Sequence, residues 1–216
     1  MRCWTIVFSL VLLGLSGALA IPESVVFMPT ANLNAPRSVY LAIEQFGVPR
    51  YYGQTRTRCL YTQLMLTERF DFGADFIGLD NSQPRQTVAN ARLVLTPETR
   101  RSPGFAVGVM NITEQTTPTF YLVGIQTTSA GRFHLGVYRQ GEHMGWSSAY
   151  QATLPFGIDV AVEYFKLPEG TAYTSFGVGR QVHQSLYLYT YYSRCHQTRD
   201  ADLFGVYLAF TPFRLF

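Results

Sequence analysis

Lysine is almost missing from this chain: of 17 basic side chains only Lys166 is a lysine, and the rest are arginines. Codon bias is the simplest cause, although the flat arginine fork also suits phosphate groups such as those of lipopolysaccharide. A strong net charge is missing too. The formal balance is +3, or +2 without Arg2 (16 basic and 14 acidic side chains), too small an excess to point to nucleic acid. Cysteine is scarce, with three residues in all, which excludes a disulfide-dense mini-domain. No apolar period of 3.6 residues persists for three turns between capping residues, so long amphipathic helices are excluded as well. After the first twenty residues no apolar stretch reaches the roughly 20 residues that a membrane-spanning helix needs.

Residues 1–20 are of a different kind. Arg2 precedes an apolar run from Val7 to Leu15 and the small-residue end Ala18-Leu19-Ala20, the pattern of a secretory signal peptide cleaved before Ile21. The other reading, an anchor helix, needs a longer run. Cys3 leaves with the leader, and no lipobox surrounds it. Export puts Cys59 and Cys195 in an oxidising compartment, where two cysteines usually pair.

What the chain has in plenty is aromatic residues, 14 tyrosines and 16 phenylalanines, and a period of two. In LTERFDFGADFIG, Phe70, Phe72, Ala74 and Phe76 alternate with Arg69, Asp71, Gly73 and Asp75, so one face of a strand is apolar and the other charged. Residues 21–37, with Pro22, Pro29 and Pro36, read as an extended periplasmic lead-in. Twelve strands follow, at 38–46, 58–66, 69–78, 87–96, 104–113, 117–127, 131–139, 146–153, 157–165, 171–180, 184–193 and 202–211. The expected fold is all-β: an antiparallel up-and-down transmembrane β-barrel over 38–216 with about 12 strands, 10 being the alternative. Strands of this length suit a tilted crossing of about 9–11 residues and exceed the common soluble strand of about 5–6. Short links follow most even strands and longer ones most odd strands, as outer-membrane barrels place turns inside and loops outside. The segment 97–103 is long for a turn, and 114–116 is short for a loop.

The faces can be assigned strand by strand. Val39, Leu41 and Ile43, Phe105, Val107 and Val109, Tyr121, Val123 and Ile125, and Val160 and Val162 are expected to face lipid. The opposite face is expected to carry a lumen charge network of Glu44, Arg69, Asp71, Asp75, Arg92, Arg132, His134, Asp159 and Glu163, with carboxylates and guanidinium groups paired across the interior. Such a network either plugs a closed barrel or lines a narrow polar pore.

LTERFDFGADF and PFGIDVAVEYF resemble the turn and alternating strand recurrent in bacterial outer-membrane β-barrel proteins. FMPTANLNAPRSVYLAI and SPGFAVGVMNI are similar to segments of the YjbH-like, exopolysaccharide-associated barrels. The resemblance implies outer-membrane lipid and lipopolysaccharide as surroundings, and a barrel assembly machinery that reads the C-terminal strand and its aromatic end, Phe216. Pro212 and Arg214 depart from the expected alternation, so pairing beyond 211 is in question.

A catalytic site is not expected. No histidine was found two residues from a serine on a shared strand face, and His134 is expected to hydrogen-bond a lumen carboxylate. Glu142-His143 and Cys195-His196 lack a metal-ligand spacing, so no metal and no cofactor is expected. Cys59 and Cys195 are disulfide candidates, provided that the loop 194–201 folds back over the rim. Two functions remain: an outer-membrane barrel acting as a small channel or envelope scaffold, or a secreted, lipocalin-like barrel with an apolar ligand inside.

Overall fold

The alternation of large apolar with small or polar residues builds twelve strands: β1 (Ser38–Gly47), β2 (Thr57–Met65), β3 (Phe70–Ile77), β4 (Gln86–Thr96), β5 (Gly104–Ile112), β6 (Thr119–Thr127), β7 (Arg132–Gln140), β8 (His143–Leu154), β9 (Ile158–Lys166), β10 (Ala172–His183), β11 (Leu186–Cys195) and β12 (Leu203–Arg214). The structure is a computed structural model and describes residues 25–27, 29–31, 36–80, 85–113 and 117–214. The expected signal peptide and Phe216 lie outside the described residues. Every strand pairs antiparallel with its neighbours, and β1 closes the barrel on β12. The fold is therefore the expected twelve-stranded barrel. Closure leaves no strand edge with unpaired backbone groups.

The links after even strands and both ends of the barrel lie at one end, called here the turn end, and the links after odd strands lie at the loop end. The alternation of link lengths is imperfect. The segment 97–103 stays long at the turn end, and the loop expected at 140–145 shrinks to the two-residue turn 141–142 because β7 and β8 both run further than expected. The final strand corrects another expectation. Arg214 and Phe213 pair with Ser38 and Val39, and the register shifts before Leu41 pairs with Phe210. Pro212 sits in that bulge, where the ladder asks no N–H of it.

Faces follow the expected parity in ten of the eleven strands to which a face was assigned, β8 having none. In β6 the expectation was inverted: Val123 and Ile125 are buried and Tyr121 is 8% exposed, whereas Phe120 and Leu122 point outward at 60% and 42%. TFYLVGIQT is apolar on both faces, so period two gives two equal solutions and packing chooses between them. The rule of polar inside and apolar outside also fails at the waist. The interior is packed with Tyr40, Ala42, Val123, Ile125, Tyr138, Ala161, Tyr187, Tyr189 and Tyr191.

Inward glycines make room for these rings. Tyr191 pairs across the ladder with Gly205, and Tyr121 with Gly108. A methyl group at either glycine would overlap the facing ring, and one at Gly177 would overlap the Tyr189 hydroxyl. The rings lie flat along the wall because the neighbouring strand has no side chain there. Gly205→Ala is expected to lower stability by about 1–3 kcal/mol through overpacking, while Gly53→Ala, with nothing within 4 Å of its new Cβ, leaves it unchanged. Urea unfolding of both variants in detergent micelles checks this, and equal midpoints would count against the packed waist.

Candidate functional site: a filled lumen with two chambers

The lead-in expected outside the barrel runs through it instead. Residues 25–27 and 29–31 of this segment lie in the lumen, where Val25 and Ala31 are buried at 1% and 5% exposure. Its own side chains are mostly apolar, so the wall holds it by its backbone. The Glu163 carboxylate, itself fully buried on β9, accepts the N–H of Val26 at 2.9 Å and that of Phe27 at 3.1 Å. Arg92 on β4 donates to the Thr30 carbonyl at 2.7 Å. These anchors stand on walls five strands apart, so the segment crosses the lumen between them. The Phe27 ring packs among Tyr191, Tyr173 and Phe165 with centroids 5.7, 5.8 and 6.3 Å away. Charge-assisted hydrogen bonds of this kind are worth about 1.5–3 kcal/mol each.

The nine charge-network residues do not form one network. Asp71 and Arg92 face each other across β3 and β4 and make a buried ion pair, with Arg92 Nε 3.1 Å from Asp71 Oδ2. Glu163 is spent on the backbone of 26 and 27. Glu44 accepts the Tyr61 hydroxyl, with Tyr191 beside it, and Asp75 accepts the Asn90 amide. Asp159, near the turn end, accepts from Thr153 at 2.6 Å and from the Tyr187 hydroxyl at 2.9 Å. Arg132 lies at the same end with its Nε on Thr127 and a distant contact of 3.8 Å to Glu98. Two expectations need correction. Arg69 is exposed in the β2–β3 turn, because β3 begins one residue later than expected. His134 is in the lumen, but its partner is the Gln151 amide at 2.8 Å and not a carboxylate.

Between the ends, the waist is closed by rings. Tyr187, Tyr189 and Tyr191 stack along β11 with centroids 6.4 and 6.5 Å apart, and Tyr138 meets Phe165 edge-on at 5.0 Å. A chamber of about 350 Å³ opens at the loop end, walled by Glu44, Tyr61, Asp75, Asn90 and Tyr207 on one side and by Phe27 and Pro29 of the lumen segment on the other. A second, of about 220 Å³, opens at the turn end beside Arg132, Gln151, Asp159 and Tyr189. Residues 25–27 and 29–31 were missed at the sequence level as a lumen element; their signal was the apolar run Val25-Val26-Phe27 in a stretch read as an extended lead-in.

The cysteines are separate buried thiols. Cys59 lies in β2 and Cys195 ends β11, with β1 and β12 between them. The expected fold-back of the loop does not occur, because the Cys195 N–H is tied to Asp202 at 2.8 Å. One His–Ser contact was overlooked: His183 Nδ1 and Ser185 Oγ are 3.0 Å apart in the exposed β10–β11 turn. The same nitrogen also takes the Ser185 N–H at 3.3 Å, so it closes the turn. Among the described residues no three His, Cys, Asp or Glu side chains converge as metal ligands.

Arg92→Met is expected to destabilise the barrel by about 3–5 kcal/mol, since it leaves Asp71 charged, buried and unpaired, while adding Asp71→Leu recovers most of the loss. Unfolding midpoints in micelles report both. Thiol titration of the denatured, unreduced chain from Ile21 onward should find two free thiols, and a count of zero would contradict the placement of Cys59 and Cys195.

No family model matches the sequence, and no curated protein matches it. Solved structures do resemble the fold. A KdgM porin in complex with disordered oligogalacturonate superposes with a TM-score of 0.59 at 10% identity, covering 80% of this chain and 98% of that one. A second KdgM porin structure gives 0.58 at 12% identity with the same coverage. Outer membrane phospholipase A from Escherichia coli gives 0.47 at 11% identity, covering 85% of this chain and 99% of that one. The fold of this chain is that of outer-membrane β-barrels.

Proposed function

We propose that this protein is an integral outer-membrane β-barrel that works as a small channel, closed at its waist in the state described by residues 25–31 of its own chain. The observation that carries the reading is the segment itself, held by Glu163 and Arg92 from walls five strands apart with its phenylalanine in an aromatic cage. A few hydrogen bonds and one ring hold it, so it can leave without unfolding the wall.

The outward face supports the membrane setting. Phe72, Phe105, Phe120, Leu135, Val162 and Phe176 are all at least 40% exposed, and Leu135 reaches 66%. A surface of this kind is stable against lipid and costly against water. It also disfavours the soluble, lipocalin-like reading, as does the aromatic packing of the waist. Exposed Arg50, Arg56, Arg58, Arg194 and Arg199 cluster around the loop-end rims of β1, β2, β11 and β12, where they would meet lipopolysaccharide phosphates. With the turn end, where β1 begins and β12 ends, in the periplasm, β12 presents the strand that the assembly machinery would read. An exopolysaccharide-associated role rests on the YjbH-like segments alone.

The packed waist supports a second reading, a closed envelope scaffold. Conductance separates the two. In planar bilayers the full chain is expected to stay mostly closed, and Phe27→Ala with Glu163→Ala to open it to steady currents. If the double variant is folded and heat-modifiable on a gel yet as silent as the parent, the channel reading fails and the scaffold stands. In the opened variant Glu44 and Asp75 leave the loop-end chamber acidic, since Arg92 is occupied by Asp71. Adding Glu44→Gln and Asp75→Asn should therefore lower its cation preference, read as a shift of reversal potential in a salt gradient. On the outer surface, Phe72→Arg should cost about 2–4 kcal/mol if it lies near the bilayer midplane, whereas Phe72→Leu should cost little; equal unfolding midpoints in lipid vesicles would refute the lipid-facing assignment.

A further inference from the structure

We propose that the turn-end chamber is a binding site for a small zwitterion, namely an α-amino acid with a short apolar side chain. The inference goes beyond the plugged channel and does not depend on it, because the chamber lies below the waist and is intact whether or not the barrel conducts.

The chamber has a volume of about 220 Å³ and is polarised. Its donors stand on the β7 and β8 walls. Arg132 uses Nε on Thr127, and the nearest acidic oxygen to its outer nitrogens, on Glu98, is 3.8 Å away, beyond hydrogen-bond reach. Glu98 is also engaged by the Thr127 N–H. Gln151 lines the chamber beside Arg132, with its side-chain carbonyl oxygen 2.8 Å from His134 Nε2. The acceptor stands on the β9 wall. Asp159 takes hydroxyl hydrogen bonds from Thr153 and Tyr187 and has no cation within 4 Å among the described residues.

The spacing selects the class of ligand. Arg132 pairs with Gln151 and Asp159 with Thr153, so guanidinium and carboxylate rise from strands two apart, roughly 10 Å between backbones, with room for one small molecule between them. A pure anion would satisfy Arg132 and be repelled by Asp159, and a pure cation would meet the reverse. A zwitterion satisfies both: its carboxylate meets Arg132, its ammonium meets Asp159, and its apolar part lies against Ala152, Val160 and Ala161. The volume excludes chains of several units.

Equilibrium dialysis of the full chain without its leader, in detergent micelles, tests the site with three probes: L-leucine, leucinamide (ammonium without carboxylate) and 4-methylpentanoate (carboxylate without ammonium). L-Leucine is expected to bind saturably with Kd of about 0.1–1 mM, and each half-charged analogue at least about tenfold more weakly, the loss of one charge-assisted contact. Asp159→Asn should weaken L-leucine about tenfold and leave 4-methylpentanoate unchanged or tighter, with heat-modifiability on a gel showing that the barrel is intact. Absence of saturable L-leucine binding, leucinamide bound as tightly as L-leucine, or Asp159→Asn indistinguishable from the parent would each overturn the proposal.

Discussion

The pairing of β1 with β12 leaves the sheet without a free edge, and in doing so encloses a lumen that the inward side chains must fill or leave wet. Twelve strands make this a demanding size. Alanine and valine at the waist cannot reach across it, so tyrosines lie along the wall over the inward glycines of neighbouring strands, as Tyr191 does over Gly205. Even so the walls do not meet. The remaining cross-section is occupied by the chain's own lead-in, and what is left divides into one chamber above the waist and one below it.

Burial then decides what each inward charge can do. An ionised group with no partner in such an interior costs several kcal/mol, and among the described residues Glu44, Asp71, Asp75, Asp159 and Glu163 share one deeply buried guanidinium, that of Arg92. Asp71 takes it. Glu163 instead takes backbone N–H groups, so the lumen segment is both filler and counterpart. Glu44, Asp75 and Asp159 are left with tyrosine hydroxyls, an amide and a threonine, at the faces of the two chambers. The acidic character of the loop-end chamber and the polarity of the turn-end chamber follow from this allocation.

Much of the wall was legible because alternation is a local property: a residue's face is set by its neighbours one position away, and charge sorted the faces wherever one side of a strand was polar. Where neither side was, as in TFYLVGIQT, the sorting had nothing to act on. The inward position of Asp71, Asp75, Arg92 and Glu163 was legible for the same reason. Their partners were not, because Asp71 meets Arg92 only through the β3–β4 register, and Phe27 meets Glu163 from 136 positions away.

By itself, then, the sequence pointed to about twelve strands, to the face that most polar side chains take and to the antiparallel order of the sheet, since all three follow from period two and from links too short for crossovers. Only the tertiary structure decided that residues 25–31 enter the lumen, that Cys59 and Cys195 stay apart across β1 and β12, and that the charges divide into separate contacts rather than one network. Those outcomes depend on the diameter and register of the closed barrel, which exist only once all twelve strands have paired.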